Sequence, residues 1–342
     1  MNMKTSGPPA ALWRAALHGP NPRALAAQPK KAPVPVAPAR PLSLFGYKLR
    51  ARPRRQNLSV VPVSASPSSP APKGRPPKSK MRIGCLQFAP QVGDVDGNLS
   101  RADAVLSRAD PDELDSLDLL VVPEMAFSGY NFTSLGHISP FLEYAGTGIS
   151  SLWARSRALK HNCHVVAGFP EQVDVSDRWP TSPEYYNSAI IVSNEGEMIG
   201  TYRKHFLYMI DETWALEGPG FGKDYIPGLG QTAMGICMDI NPYKFEAPWH
   251  TFEFAFHVLE VRANLVILSM AWLTREEAST FCAKPDEPDM ETLTYWVQRM
   301  EPIIRAENDE EIVFVFCNRC GIEGDTGCFS FVQVDTKTAN KP

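Results

Sequence analysis

Acidic residues are missing from the first eighty positions. All thirty-eight Asp and Glu lie beyond them, whereas fifteen of the thirty-four Lys and Arg and sixteen of the thirty-one prolines lie within. A segment of that composition cannot bury enough apolar surface to offset its ordering entropy. Residues 1–80 are therefore expected to be a disordered basic leader, outside any folded core. Long apolar runs are lacking too: none reaches eighteen residues, so neither a membrane-spanning helix nor a membrane partner is expected. Cysteines are few and odd in number, seven at positions 85, 163, 237, 282, 317, 320 and 328. That argues against a disulfide framework and for a reducing compartment. Cys317-Asn318-Arg319-Cys320 has no second Cys pair at zinc spacing, so two free thiols at a strand end describe it better than a metal site.

The leader's Arg-rich, Ala-rich, acid-free composition is that of a mitochondrial transit peptide, but its prolines break the amphipathic helix such peptides use. The expected location is cytoplasmic or nuclear, and mitochondrial if residues 1–80 act as a transit segment. No aromatic interleaving accompanies the basic residues, so nucleic acid is not expected as a partner. Met81 opens the first strand directly and is an alternative start. Residues 81–342 carry nineteen basic and thirty-eight acidic side chains and are long enough for one large core.

Within that domain the hydrophobic period alternates between strand and helix. Strands are expected at 81–88, 119–122, 164–169, 185–192, 198–202, 232–236, 264–269, 312–317 and 329–334. Helices are marked by Leu99, Ala102 and Leu106, by Ile149, Leu152, Trp153 and Leu159, and by Phe252, Ala255, Phe256 and Leu259. Another covers 293–306 with a break near Pro302, and 211–225 reads as a loop. Ser193-Asn194-Glu195-Gly196 is a hairpin signal. The pattern is that of an α/β protein with a mixed sheet and helices outside.

Three chemically capable residues stand where strands end. Glu124 follows 119–122, and the apolar turn from Met125 to Tyr130 favours burial over a solvated rim. Lys204 follows 198–202, between Tyr202 and Phe206; a snorkelling surface lysine is the ordinary alternative. Cys237 follows 232–236 and precedes Asp239, Asn241 and Pro242, which stop the strand. A side chain held there by rigid backbone reaches into a cleft, as a nucleophile must, although a Cys at a strand end is also a common inert core residue. Gly235 is read as leaving room for a substrate.

Val122-Pro123-Glu124 with Gly129-Tyr130, Tyr202-Arg203-Lys204, and Gly235-Ile236-Cys237-Met238-Asp239, in this order and at these spacings, resemble the nitrilase or carbon–nitrogen hydrolase superfamily. The resemblance runs from Met81 to about Asp335. Arg203 to Tyr208, Gly235 to Pro248, Met270-Ala271-Trp272-Leu273 and Cys317 to Gly321 resemble one branch of it, the fungal protein N-terminal amidases, which deamidate N-terminal Asn and Gln of proteins. It implies a nitrilase-like α-β-β-α sandwich, often paired into a homodimer, and protein or peptide N-termini as substrate. Other chemistries of the superfamily, on small amides, carbamoyl amino acids or nitriles, stay open, as does an inactive partner-binding homologue.

The chemistry itself follows from residue types. Cys237 attacks an amide carbonyl, Glu124 takes the thiol proton as general base, and Lys204 with the Met238 backbone N–H stabilises the oxyanion. No metal or organic cofactor is required. The resemblance places the family's second glutamate at Glu217, with Glu212 the less favoured substitute. Asp239 or Glu253 is expected to hold the substrate's α-ammonium group, with capping of the turn the plain alternative for Asp239. Tyr130 and Trp272 are expected to wall the site, with core packing as the alternative. Gly327-Cys328-Phe329-Ser330 matches the family's late strand only loosely, so a missing last strand and tail are expected.

Overall fold

The computed structural model describes residues 81–178, 180–275, 288–306, 311–323, 326–327 and 333–337. The leader, Cys282 and residues 328–330 lie outside the described residues, so the expectations placed on them are not taken further. Two five-stranded sheets carry the fold. The first has the order β1-β2-β3-β4-β5, from Ile83–Cys85, Leu119–Val121, His164–Val173, Glu184–Val192 and Met198–Arg203. The second has the order β12-β9-β8-β7-β6, from Gln333–Lys337, Ile312–Asn318, Leu265–Met270, Gly230–Ile236 and Gly222–Ile226. A two-stranded ribbon, β10 (Ile322–Glu323) with β11 (Thr326–Gly327), lies between β9 and β12 in the chain.

Both sheets are mixed. The pairs β1·β2, β2·β3, β7·β8 and β8·β9 are parallel, and the hairpins β3·β4, β4·β5 and β6·β7 are antiparallel. Because side chains alternate along a strand, each central strand of the first sheet feeds two cores. Ile83, Leu119, Val121, Val166, Ala189 and Ile191 face the second sheet, where Met234, Ile236, Ile267 and Val315 meet them. Leu120, Val122, Val165, Ala167, Ile190 and Val192 face outward onto helices α1 (Val95–Leu106) and α2 (Ile149–His161). Helices α3 (Glu253–Glu260), α4 (Met290–Arg299) and α5 (Glu301–Arg305) cover the second sheet. The result is the expected α-β-β-α sandwich. Hydrogen bonds cross between the sheets as well: Ser269 Oγ donates to Val122 O at 3.0 Å and Cys317 Sγ to Val121 O at 3.3 Å.

Local expectations differ from the structure in four places. The first strand is shorter than 81–88, because beyond Leu86 the backbone leaves β2. The loop assigned to 211–225 contains β6, an edge strand in which buried and solvent-facing positions alternate, so no apolar run announces it. The buried face of α3 is Phe254, Ala255 and Val258, and Phe256 is 51% exposed. Phe252 stands before that helix with a left-handed φ of +42°, which shifts the phase of the apolar face. In α2 the large residues Ile149, Leu152 and Leu159 point outward, while Ser150, Ser151, Trp153, Ala154 and Ala158 pack inward, the small ones letting the helix lie close to the sheet.

Candidate active site

The parallel alignment of β2, β3 and β5 sends the C-terminal ends of β2 and β5 the same way, and β7 and β8 end beside them. Glu124 lies just past β2, fully buried. Its backbone can press against β3 because residue 168 is glycine: a Cβ there would come within 2.8 Å of Glu124 Cα, Met125 N and Pro123 O. Lys204 follows β5, also fully buried, with its backbone N–H on Asn187 O at 2.8 Å. Cys237 follows β7 in a left-handed conformation, φ +44°, at the start of a single 3-10 turn, Cys237–Ile240. Such backbone strain in a non-glycine residue is kept where the surroundings over-determine it, and here it aims the thiol away from the core. Cys237 is 9% exposed, the least covered of the three.

Glu124 and Lys204 touch. Lys204 Nζ lies 2.6 Å from Glu124 Oε1 and 2.6 Å from Asp211 Oδ2. Asn187 Nδ2 donates to Glu124 Oε1 at 2.7 Å and to Asp211 Oδ1 at 3.0 Å. Glu124 Oε2 accepts the Ala271 N–H at 2.8 Å, and Asp211 Oδ2 accepts the Tyr130 hydroxyl at 3.2 Å and the Tyr208 N–H at 3.0 Å. Burial pushes the Glu124 carboxyl above its ordinary range, with Lys204 pulling it down and Asp211 pushing it up. Burial opposes the charge on Lys204, yet Asp211 and Glu124 outweigh it and hold the amine protonated. Burial raises the Cys237 thiol well above its ordinary range, and the charge of Glu124 adds to this against the pull of Lys204 and the Ala271 N–H. The resting thiol is therefore neutral, and a base must take its proton as it reacts.

A pocket of about 430 Å³, mouth included, opens over the sulfur, lined by Tyr130, Tyr208, Cys237, Met238, Asn241, Phe245, Ala271, Trp272 and Leu273. Tyr130 and Trp272 are both among the residues that line this pocket. Met238 lines it as well, and its N–H follows directly on Cys237 in the chain. Asn318 holds the Trp272 backbone from both sides, accepting its N–H at 2.7 Å and donating to its carbonyl at 3.1 Å.

Other expected site residues lie elsewhere. The carboxylate beside Lys204 is Asp211; Glu217 is exposed and accepts from the Tyr243 hydroxyl at 2.7 Å, and Glu212 is exposed, 3.8 Å from Lys244 Nζ. Asp239 is not available to an ammonium group. Its oxygens take the N–H groups of Ile236, His205 and Phe206 at 2.6, 3.2 and 2.7 Å and the Tyr202 hydroxyl at 2.7 Å, tying the cysteine turn to the backbone after Lys204. Glu253 accepts the Tyr243 N–H at 3.2 Å and pairs with buried Arg299 at 3.4 Å. Gly235 serves packing, not substrate: a Cβ there would sit 2.9 Å from Leu268 Cδ2 and from Phe254. Sequence reasoning missed Asp211 and Asn187. For Asp211 the one available signal was its position between the apolar runs Tyr208-Met209-Ile210 and Trp214-Ala215-Leu216.

The family profile of carbon-nitrogen hydrolases matches residues 82–241. The protein N-terminal amidase of Schizosaccharomyces pombe is 37% identical over 259 residues, 72% of this chain and 87% of that protein. That of Saccharomyces cerevisiae is 30% identical over 212 residues, 56% of this chain and 45% of that one. A solved N-terminal amidase with an Asn-Glu-Ala peptide shares the fold with a TM-score of 0.63 at 22% identity, over 74% of this chain and 89% of that one. Sequence kinship across most of the shorter fungal relative, with the sandwich and the buried Glu–Lys pair beside a strained cysteine, leads to one conclusion: the chain belongs to the carbon–nitrogen hydrolases and, among them, to the protein N-terminal amidase family.

Proposed function

We propose that this protein hydrolyses the side-chain amide of Asn or Gln at the N-terminus of proteins and peptides, giving Asp or Glu and ammonia. The observation that carries the reading is the buried Lys204–Glu124 contact of 2.6 Å behind the pocket that Cys237 lines, where the lining residue Ala271 gives its N–H to Glu124 and the lining residue Tyr130 gives its hydroxyl to Asp211 beside Lys204. Glu124 takes the thiol proton as sulfur attacks the amide carbon. Lys204 and the Met238 N–H receive the negative oxygen; losing one donor of this kind typically raises the barrier by about 2.7–4 kcal/mol. The proton then passes from Glu124 to the departing nitrogen, ammonia leaves, and Cys237 keeps the acyl group as a thioester. Glu124 next deprotonates a water that attacks the thioester, and its proton returns to sulfur.

The N-terminal preference rests on the lining. Among the described residues of the pocket none is a carboxylate, and the rings of Tyr130, Tyr208, Phe245 and Trp272 line it, a setting in which an ammonium group can be held by aromatic faces. The solved relatives with Asn- and Gln-initiated peptides support the same substrate class. The test is ammonia release from Asn- and Gln-initiated peptides, their N-acetylated forms and free asparagine. Release from the free-amine peptides alone is expected. Equal release from the acetylated peptides would move the reading to a general small-amide hydrolase, and no release from folded protein would leave a binding homologue.

A further inference from the structure

Two carboxylates, Glu124 and Asp211, share one ammonium group, and all three are fully buried. One cation cannot neutralise two anions in a site shut off from water, so a proton would ordinarily settle on one of the acids. The two N–H bonds of one amide stand against that outcome. Asn187 Nδ2 reaches Glu124 Oε1 at 2.7 Å and Asp211 Oδ1 at 3.0 Å, closing a four-membered ring of side chains with Lys204. The amide orientation is forced, because a flipped side chain would turn its oxygen against two carboxylates. The cost is visible: Asn187 Oδ1 is buried with no hydrogen-bond partner among the described residues. A buried polar atom left unpaired in this way calls for a physical reason. Asn187 also accepts the backbone N–H of Lys204 on its own carbonyl at 2.8 Å, so one residue of β4 is bonded to both carboxylates and to the backbone that carries the lysine.

We infer that Asn187 is a positioning residue that holds Glu124 and Asp211 ionised together around Lys204, and so keeps Glu124 competent as a base. The inference rests on Glu124 being the general base. The titratable groups around Glu124 are Lys204 beyond β5, Asp211 from the turn before β6, Cys237 beyond β7 and Tyr130 from the loop after β2. Asp239, fully buried under the cysteine turn, also feels the charge of Lys204.

The test is the pH profile of kcat/KM for deamidation of an Asn-initiated peptide by Asn187→Asp, the near-isosteric change that removes the two N–H donors and adds a third acid. The acid limb is expected to move to higher pH by about one unit or more, with much of the rate restored on the alkaline side. The swapped double variant Asn187→Asp with Asp211→Asn restores one amide and one second carboxylate, and its limb is expected to return toward the parent's. Should the single variant not fold, Asn187→Ser carries the same expectation for the limb, with melting temperature read alongside. A rate loss equal at every pH, or a swapped variant with its limb still displaced, would overturn the inference. No deamidation by the parent protein would instead overturn the functional reading beneath it.

Discussion

At Cys237 the backbone does part of the chemistry's work. A φ of +44° costs a non-glycine residue stability, and the fixed turn through Asp239 sustains it. Cys237→Ala is expected to abolish ammonia release while the circular dichroism spectrum and melting temperature stay close to the parent's; residual turnover above a few per cent of the parent's would remove sulfur from the reaction. The neighbouring acids separate just as sharply. Asp211→Asn removes one of the two carboxylates that fix the ammonium of Lys204, and misplacing a reacting group by about 1 Å can cost about a hundredfold in rate, so kcat should fall by about that factor. Glu217→Gln removes only the charge from an exposed contact to Tyr243 and should leave kcat within about twofold. Steady-state kinetics on the two variants side by side checks both.

At the scale of elements, strand ends position the site and glycines let them converge. Gly168 admits the Glu124 backbone, and Gly235 admits Leu268 and Phe254 behind the cysteine turn. Gly235→Ala must displace both neighbours. Overpacking of this kind costs about 1–3 kcal/mol, which calorimetry should read as a lowered melting temperature with the reaction's pH profile unchanged. An unshifted melting temperature would mean the core yields there freely. Strand ends are local features, marked by a run of apolar residues meeting Pro, Asp or Asn, and so Glu124, Lys204 and Cys237 could all be singled out along the chain. The edge strand β6 and the phase of α3 could not. The first has solvent on alternate positions, and the second is set by the left-handed residue that precedes it.

For the whole molecule, the pH response should follow Glu124. Burial raises its carboxyl, so the group gains a proton, and loses its function as a base, at a pH above the ordinary value of about 4.3. The acid limb of kcat/KM is expected in that elevated range; a limb at or below the ordinary value would show an exposed or differently paired base. The described core begins at Met81, which is 7% exposed and packs with Ile83 between the sheets. A chain starting at Met81 is therefore expected to fold and to keep kcat/KM within about twofold of the full-length protein, measured on the same peptide.

Charge segregation along the chain, the alternating helix and strand periods, and three reactive residues at strand ends are properties of neighbouring positions, and reading them required no coordinates. Which carboxylate serves Lys204 was a different matter. Asp211, Glu212 and Glu217 share one short stretch and the same functional group, and burial against Tyr130 and Asn187 is what separates the first from the other two. Asn187 likewise sits in mid-strand, where a polar residue looks like the wet side of an alternation. The first sheet and the turn before β6 had to come together before its amide met two acids, because contacts across 24 and 63 residues exist only once the chain is packed.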